Sequence, residues 1–221
     1  MFKTSTFSLR QLARQAVAAA TLALLSGLAA AGTLSVSIDT RGFGSNGWLD
    51  FQFNPAGTGL SPAATARLSN FRGFDAGAAT EVFGDVSGSL ASGYVLRNSG
   101  SWNDLFHAVN FGGLLRFDLS IGGDVDLSGS INQSAFAVSA YAADKVTLLG
   151  KPSGIDGSLV SFAWTPGSAV GAAGRLDTTI SSAAASVSQV PEPSMLVLTA
   201  TGLLLITGML RRRKPWDGDK L

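Results

Sequence analysis

Gly47-Trp-Leu-Asp-Phe-Gln-Phe-Asn-Pro55 is the stretch on which the fold turns. Leu49, Phe51 and Phe53 alternate with Trp48, Asp50 and Gln52. A strict period of two puts the first set on one face of a β-strand and the second on the other. The same habit recurs on both sides. Leu34, Val36 and Ile38 alternate with Ser35 and Ser37, and Phe117, Leu119 and Ile121 with Arg116, Asp118 and Ser120. Phe136/Val138 and Val160/Phe162/Trp164 continue it. The intervening stretches GFGSNG, NPAGTG, GDVSGS, GGDVDLSGS and KPSGIDGS are rich in turn-forming residues. Short alternating strands separated by such turns predict an all-β fold, an antiparallel sandwich or barrel, of which a jelly-roll-like β-sandwich is the expected form. One segment breaks the pattern. In SWNDLFHAVNFGG, Trp102, Leu105, Phe106 and Val109 follow helical spacing, with Asn103 or Asp104 placed to cap. It reads as a short helical turn, the alternative being a loop leading into a strand.

The chain contains no cysteine, which excludes disulfides, thiolate metal sites and a thiol nucleophile. Its 16 bases and 15 acids are unevenly spread. Three bases and no acid precede residue 32, and five bases and three acids follow residue 190. The middle therefore has eight bases and twelve acids, a net charge of −4, the wrong sign for a nucleic-acid partner.

The two ends read as targeting segments. Residues 1–31 carry Lys3, Arg10 and Arg14, then the 13-residue apolar run Ala16–Leu28, then small residues. This is the layout of a signal peptide, with Ala29 and Ala31 fitting signal peptidase cleavage after Ala31. At the other end, Ser194–Leu210 is 17 residues without charge, about 25 Å as a helix, enough for a thin bilayer core. Arg211, Arg212, Arg213 and Lys214 follow, a stop-transfer cluster that favours the cytoplasmic side and leaves 215–221 as a short cytoplasmic tail. Just before the span, Pro191 and Pro193 hold Val190 and Glu192 extended, a shape suited to a processing enzyme. The sequence thus divides into signal peptide 1–31, ectodomain 32–180, a low-complexity flexible linker 181–189, and a terminal signal 190–214.

Pro191-Glu192-Pro193, the span 194–210 and the basic cluster 211–214, in that order, closely resemble the PEP-CTERM sorting signal of Gram-negative bacteria. The tail PWDGDKL is longer than many members carry. The resemblance implies processing by an exosortase near Pro191-Glu192-Pro193 after transient anchoring in the inner membrane. It also implies a final place at the cell surface or in the extracellular matrix, in the setting of exopolysaccharide and biofilm. GWLDFQFNP, NFRGF, GDVSGSL and WNDLFHAVNFGG together look like a group of PEP-CTERM proteins with an uncharacterised β-rich ectodomain, so this second resemblance adds no activity.

Residues for chemistry are sparse. A Ser-His-Asp triad would have to use His107, the chain's single histidine, and no G-x-S-x-G elbow marks a serine. Zinc needs several nitrogen or sulfur ligands, more than the chain offers. Asp124 and Asp126 are a weak candidate pair for calcium, without an EF-hand pattern around them. Glycoside hydrolysis would need two carboxylates in a cleft, and no pair is marked. Among Trp48, Tyr94, Trp102, Tyr141 and Trp164, the residues Trp48 and Tyr141 fall opposite their strands' apolar faces and are candidate platforms for sugar rings. The expected role is structural or adhesive, without catalysis or cofactor. A carbohydrate-binding module is the alternative and a secreted hydrolase a more distant one. An exposed aromatic row would distinguish the second from the first.

Overall fold

The computed structural model describes residues 32–57, 61–130, 132–154, 156–190 and 201–202. The signal peptide and its cleavage site at Ala29 and Ala31, Pro191-Glu192-Pro193, the basic cluster 211–214, and the apolar span apart from Thr201 and Gly202 lie outside them. Among the described residues no helix is long and apolar enough to cross a membrane.

The alternating segments all become strands. In chain order they are β1 (Leu34–Asp39), β2 (Asn46–Pro55), β3 (Ala64–Arg72), β4 (Thr80–Phe83), β5 (Val86–Ser89) and β6 (Gly93–Arg97). There follow β7 (Asp104–Asn110), β8 (Leu114–Gly123), β9 (Ser134–Ala142), β10 (Val160–Thr165), β11 (Arg175–Ile180) and β12 (Ala185–Gln189). They form two antiparallel sheets. Sheet A has the order β12-β1-β8-β3-β6-β5, and sheet B the order β11-β10-β9-β2-β7-β4.

The inward faces of both sheets meet in one apolar core. Leu49, Phe51 and Phe53 of β2 are fully buried, as are Phe136, Val138, Val160 and Phe162 from sheet B. Sheet A contributes Val36, Ile38, Leu68, Leu96, Phe117 and Leu119. Phe51 meets Phe117 edge-on across the interface, centroids 5.3 Å apart. The result is sandwich-like, as the period-two pattern predicts. Asn98 joins the sheets by a polar route: its Nδ2 donates to Pro62 O and to Ser134 Oγ, both at 2.8 Å, and its Oδ1 accepts from Ala64 N at 2.8 Å. A buried amide thus spends its donors and acceptor on backbone and side chain from both sheets.

Two expectations are corrected. The segment read as a short helical turn is β7. Leu105, His107 and Val109 enter the core while Asp104, Phe106 and Ala108 face out. Apolar residues on both faces of one strand mimicked helical spacing, and pairing with β2 and β4 settles the conformation. Residues 181–189 are not a flexible linker. Ala185–Gln189 pair along β1 as the edge strand β12, and Ser182 and Ala185 are buried. Small polar side chains suffice there because the ladder bonds are made by backbone.

Candidate functional site

The outer face of sheet B is where the residues with chemical potential converge. Because β2 sends Leu49, Phe51 and Phe53 inward, Trp48, Asp50, Gln52 and Asn54 must emerge on the other side. Register then dictates their neighbours. Trp48 lies between Tyr141 of β9 and Ala108 of β7, Asp50 between Ser139 and Phe106, and Gln52 between Ala137 and Asp104. Further along, Phe106 faces Glu81 and Asp104 faces Phe83 on β4.

The aromatic residues form a row across the strands. Trp48 and Tyr141 are direct cross-strand partners. Phe106 and Tyr141 stack with centroids 5.9 Å apart and planes at 30°. These two rings belong to β7 and β9, which flank β2. Strands two apart in a sheet are separated by roughly 9–10 Å, so the rings reach toward each other over the β2 row and roof Asp50. Beyond them Phe83 stacks with Trp102, centroids 6.0 Å apart, and these two are 46% and 63% exposed. Lys145 places its Nζ 4.1 Å from the Trp48 ring centroid and pairs with Glu81 at 2.6 Å. A depression of about 280 Å³ opens beside Trp48, with Asp75, Ala108 and Ala143 also in its wall. On β9 and β10 the same face carries small side chains, Ala135, Ala137, Ser161 and Ala163.

Beneath and beside this roof lie two carboxylates, Asp50 and Asp104, to which the sequence assigned no chemical role. Asp50 is fully buried and Asp104 is 1% exposed. Gln52 Nε2 donates to Asp50 Oδ2 at 2.6 Å. Asp50 Oδ1 and both oxygens of Asp104 receive no hydrogen bond of good geometry. Burial pushes the Asp50 carboxyl up to about 7. The Gln52 amide opposes this and the charge of Asp104 adds to it. Burial likewise pushes Asp104 up to about 6, with the Asn54 amide pulling the other way. The Tyr141 hydroxyl is raised by burial first and then by the charges of Asp50 and Asp104, so all three groups share one neighbourhood.

The predicted site residues separate clearly. Trp48 and Tyr141 come together, directly opposite each other. Trp164 and Tyr94 point into the core instead. His107 is 1% exposed, with Phe74 and Tyr94 edge-on to its ring. Its Nδ1 bonds the Ala108 carbonyl at 2.7 Å, and burial lowers its pKa, which favours a neutral packed ring. Asp124 and Asp126 follow the end of β8. Asp126 Oδ1 accepts from Ser128 N at 2.9 Å and Ser128 Oγ at 2.6 Å, and its Oδ2 accepts from Asn132 Nδ2 at 2.8 Å. Its carboxylate is thereby spent on shaping its own loop, and Asp124 is exposed. Among the described residues no group of three or more His, Cys, Asp or Glu is placed to hold a metal.

No protein-family model, curated protein or solved structure matches this chain.

Proposed function

We propose that this chain is an exported protein of a Gram-negative cell surface or extracellular matrix, sorted through its PEP-CTERM signal, processed by an exosortase, and adhesive through carbohydrate binding. The binding face is the outer surface of sheet B, and exopolysaccharide is the ligand. The observation that carries this reading is the aromatic row Tyr141, Trp48, Phe106 and Phe83 on one sheet face, extended by Trp102 from the loop before β7, which stacks on Phe83. Sugar rings present apolar C–H faces that stack on aromatic rings, while Gln52, Glu81 and Lys145 offer polar groups at the same surface. We also read the sandwich as jelly-roll-like. The order β1-β8-β3-β6 against β2-β7-β4 interleaves as two Greek keys do, with β5 moved to the edge of sheet A and β9–β12 added.

A hydrolase is the less favoured reading. Asp50 and Asp104 are the paired carboxylates it would need, but both are buried beneath the surface that a sugar would touch.

Two experiments test the proposal. Purified full-length protein is titrated with exopolysaccharide from its host. Trp102→Ala and Trp48→Ala are each expected to weaken binding by about tenfold or more, the usual cost of truncating a central aromatic contact. Unchanged affinity in both variants would reject this face. For sorting, replacing Pro191-Glu192-Pro193 by three alanines is expected to leave the protein bound to the inner membrane, read by fractionation and intact mass. Unaltered release into the medium would end the exosortase reading.

A further inference from the structure

Asp50 and Asp104 stand diagonally across the β2–β7 ladder, with Gln52 opposite Asp104 and hydrogen bonded to Asp50. Side chains so placed on one sheet face are within mutual reach. Three of their four carboxylate oxygens are buried without a hydrogen bond of good geometry. Lys145 on this face is occupied with Glu81 and the Trp48 ring, and Arg175 at the far edge with Asp177. Buried carboxylates are ordinarily paired, hydrogen bonded or bound to metal. Here Asp104 has no ion-pair partner among the described residues, and the Asn54 amide beside it does not reach good hydrogen-bond geometry.

We propose that Asp50 and Asp104 are the protein ligands of a calcium site beneath the Phe106–Tyr141 stack. The donors are all oxygen, which selects a hard cation. His107 lies on the same strand as Asp104 but at an inward position, so no nitrogen ligand joins them. Calcium accepts irregular sets of carboxylate, amide and water oxygens, whereas magnesium demands a tight octahedron and holds its own waters. Gln52 is in register to add an amide oxygen. The site stands apart from the glycan reading, for it needs only these side chains and the fold that converges them.

The test uses full-length protein stripped with a chelator, at about pH 7.5 where both carboxyls can ionise. Calcium at about one hundred times its Kd is expected to raise the melting midpoint by roughly 5 °C or more, and magnesium by much less. Terbium, a luminescent calcium substitute, is expected to emit when Trp and Tyr are excited, because Tyr141 and Trp48 lie beside the site, and calcium should quench that emission by displacement. Both signals should vanish in Asp104→Asn and persist in Asp126→Asn. If Asp104→Asn does not fold, the wild-type terbium displacement and the Asp50→Asn protein still decide. No midpoint shift together with no terbium emission in the wild type would overturn the site. A calcium response surviving in a folded Asp104→Asn or Asp50→Asn protein would overturn its location.

Discussion

Asp50→Asn is expected to stabilise the protein at about pH 8 in the presence of a chelator, and the gain is expected to shrink by about 3 kcal/mol on acidification to about pH 5. An acid whose folded pKa is raised binds its proton more tightly in the native state than in the unfolded chain. Its burden is therefore absent well below the unfolded value of 3.8, grows as pH climbs, and is complete above the folded value of about 7. An asparagine has the same shape, keeps an oxygen for the Gln52 amide, and carries no charge to desolvate. Facing this position are Asp104 from β7, Ser139 and Tyr141 from β9, and beyond Phe106 the Glu81–Lys145 pair. His107, whose pKa burial lowers, penalises the fold in acid, but equally in both proteins, so it cancels in the difference. Urea unfolding of variant and wild type across the pH range provides the measurement. A difference that does not vary with pH would mean that Asp50 is not held protonated by its surroundings.

Phe51→Ala is expected to cost about 4 kcal/mol and to lower the melting midpoint by roughly 10 °C. Phe51 is fully buried, edge-on to Phe117 of the opposite sheet and tilted against Phe74 at 6.5 Å. Truncation removes a ring from between two sheets whose backbones are tied by their own ladders and cannot close the gap. Trp102→Ala, at an exposed position, is expected to cost less than about 1 kcal/mol and serves as the control. Calorimetry of the three proteins decides. A loss for Phe51→Ala no larger than that of the control would place the inter-sheet core elsewhere.

The sandwich was legible because its strands are amphipathic in the simplest way. In Leu34–Asp39, Asn46–Pro55 and Leu114–Gly123 every second residue is apolar, and each of those faces is now buried. The reading failed where that contrast disappears. Phe106 on the outer face of β7 gave the strand two apolar sides, which looks like a helix in one dimension. Ala185–Gln189 offered too little apolar surface to suggest any element, since what holds it is backbone pairing with a strand from the other end of the domain. The site was half legible. Trp48 and Tyr141 could be marked as outward-facing from alternation alone. Asp50 sat in plain view between Leu49 and Phe51 as an ordinary outward polar residue. Its burial depends on Phe106 and Tyr141, which reach it only through strand order and register. No local pattern encodes that.

The pairing of β1 with β12 bears on how the molecule is assembled in time. Leu34 lies opposite Gln189, and the Val190 amide donates to the Thr33 carbonyl at 2.8 Å, so the beginning and end of the sandwich are neighbours. A chain synthesised N-terminus first delivers β1 early and its partner last. Until Gln189 arrives, one side of β1 is an open strand edge, available to a second molecule. Contacts this distant in sequence also form slowly, because the longest loop must close before they reward the chain. Completion of the domain thus waits for its final strand.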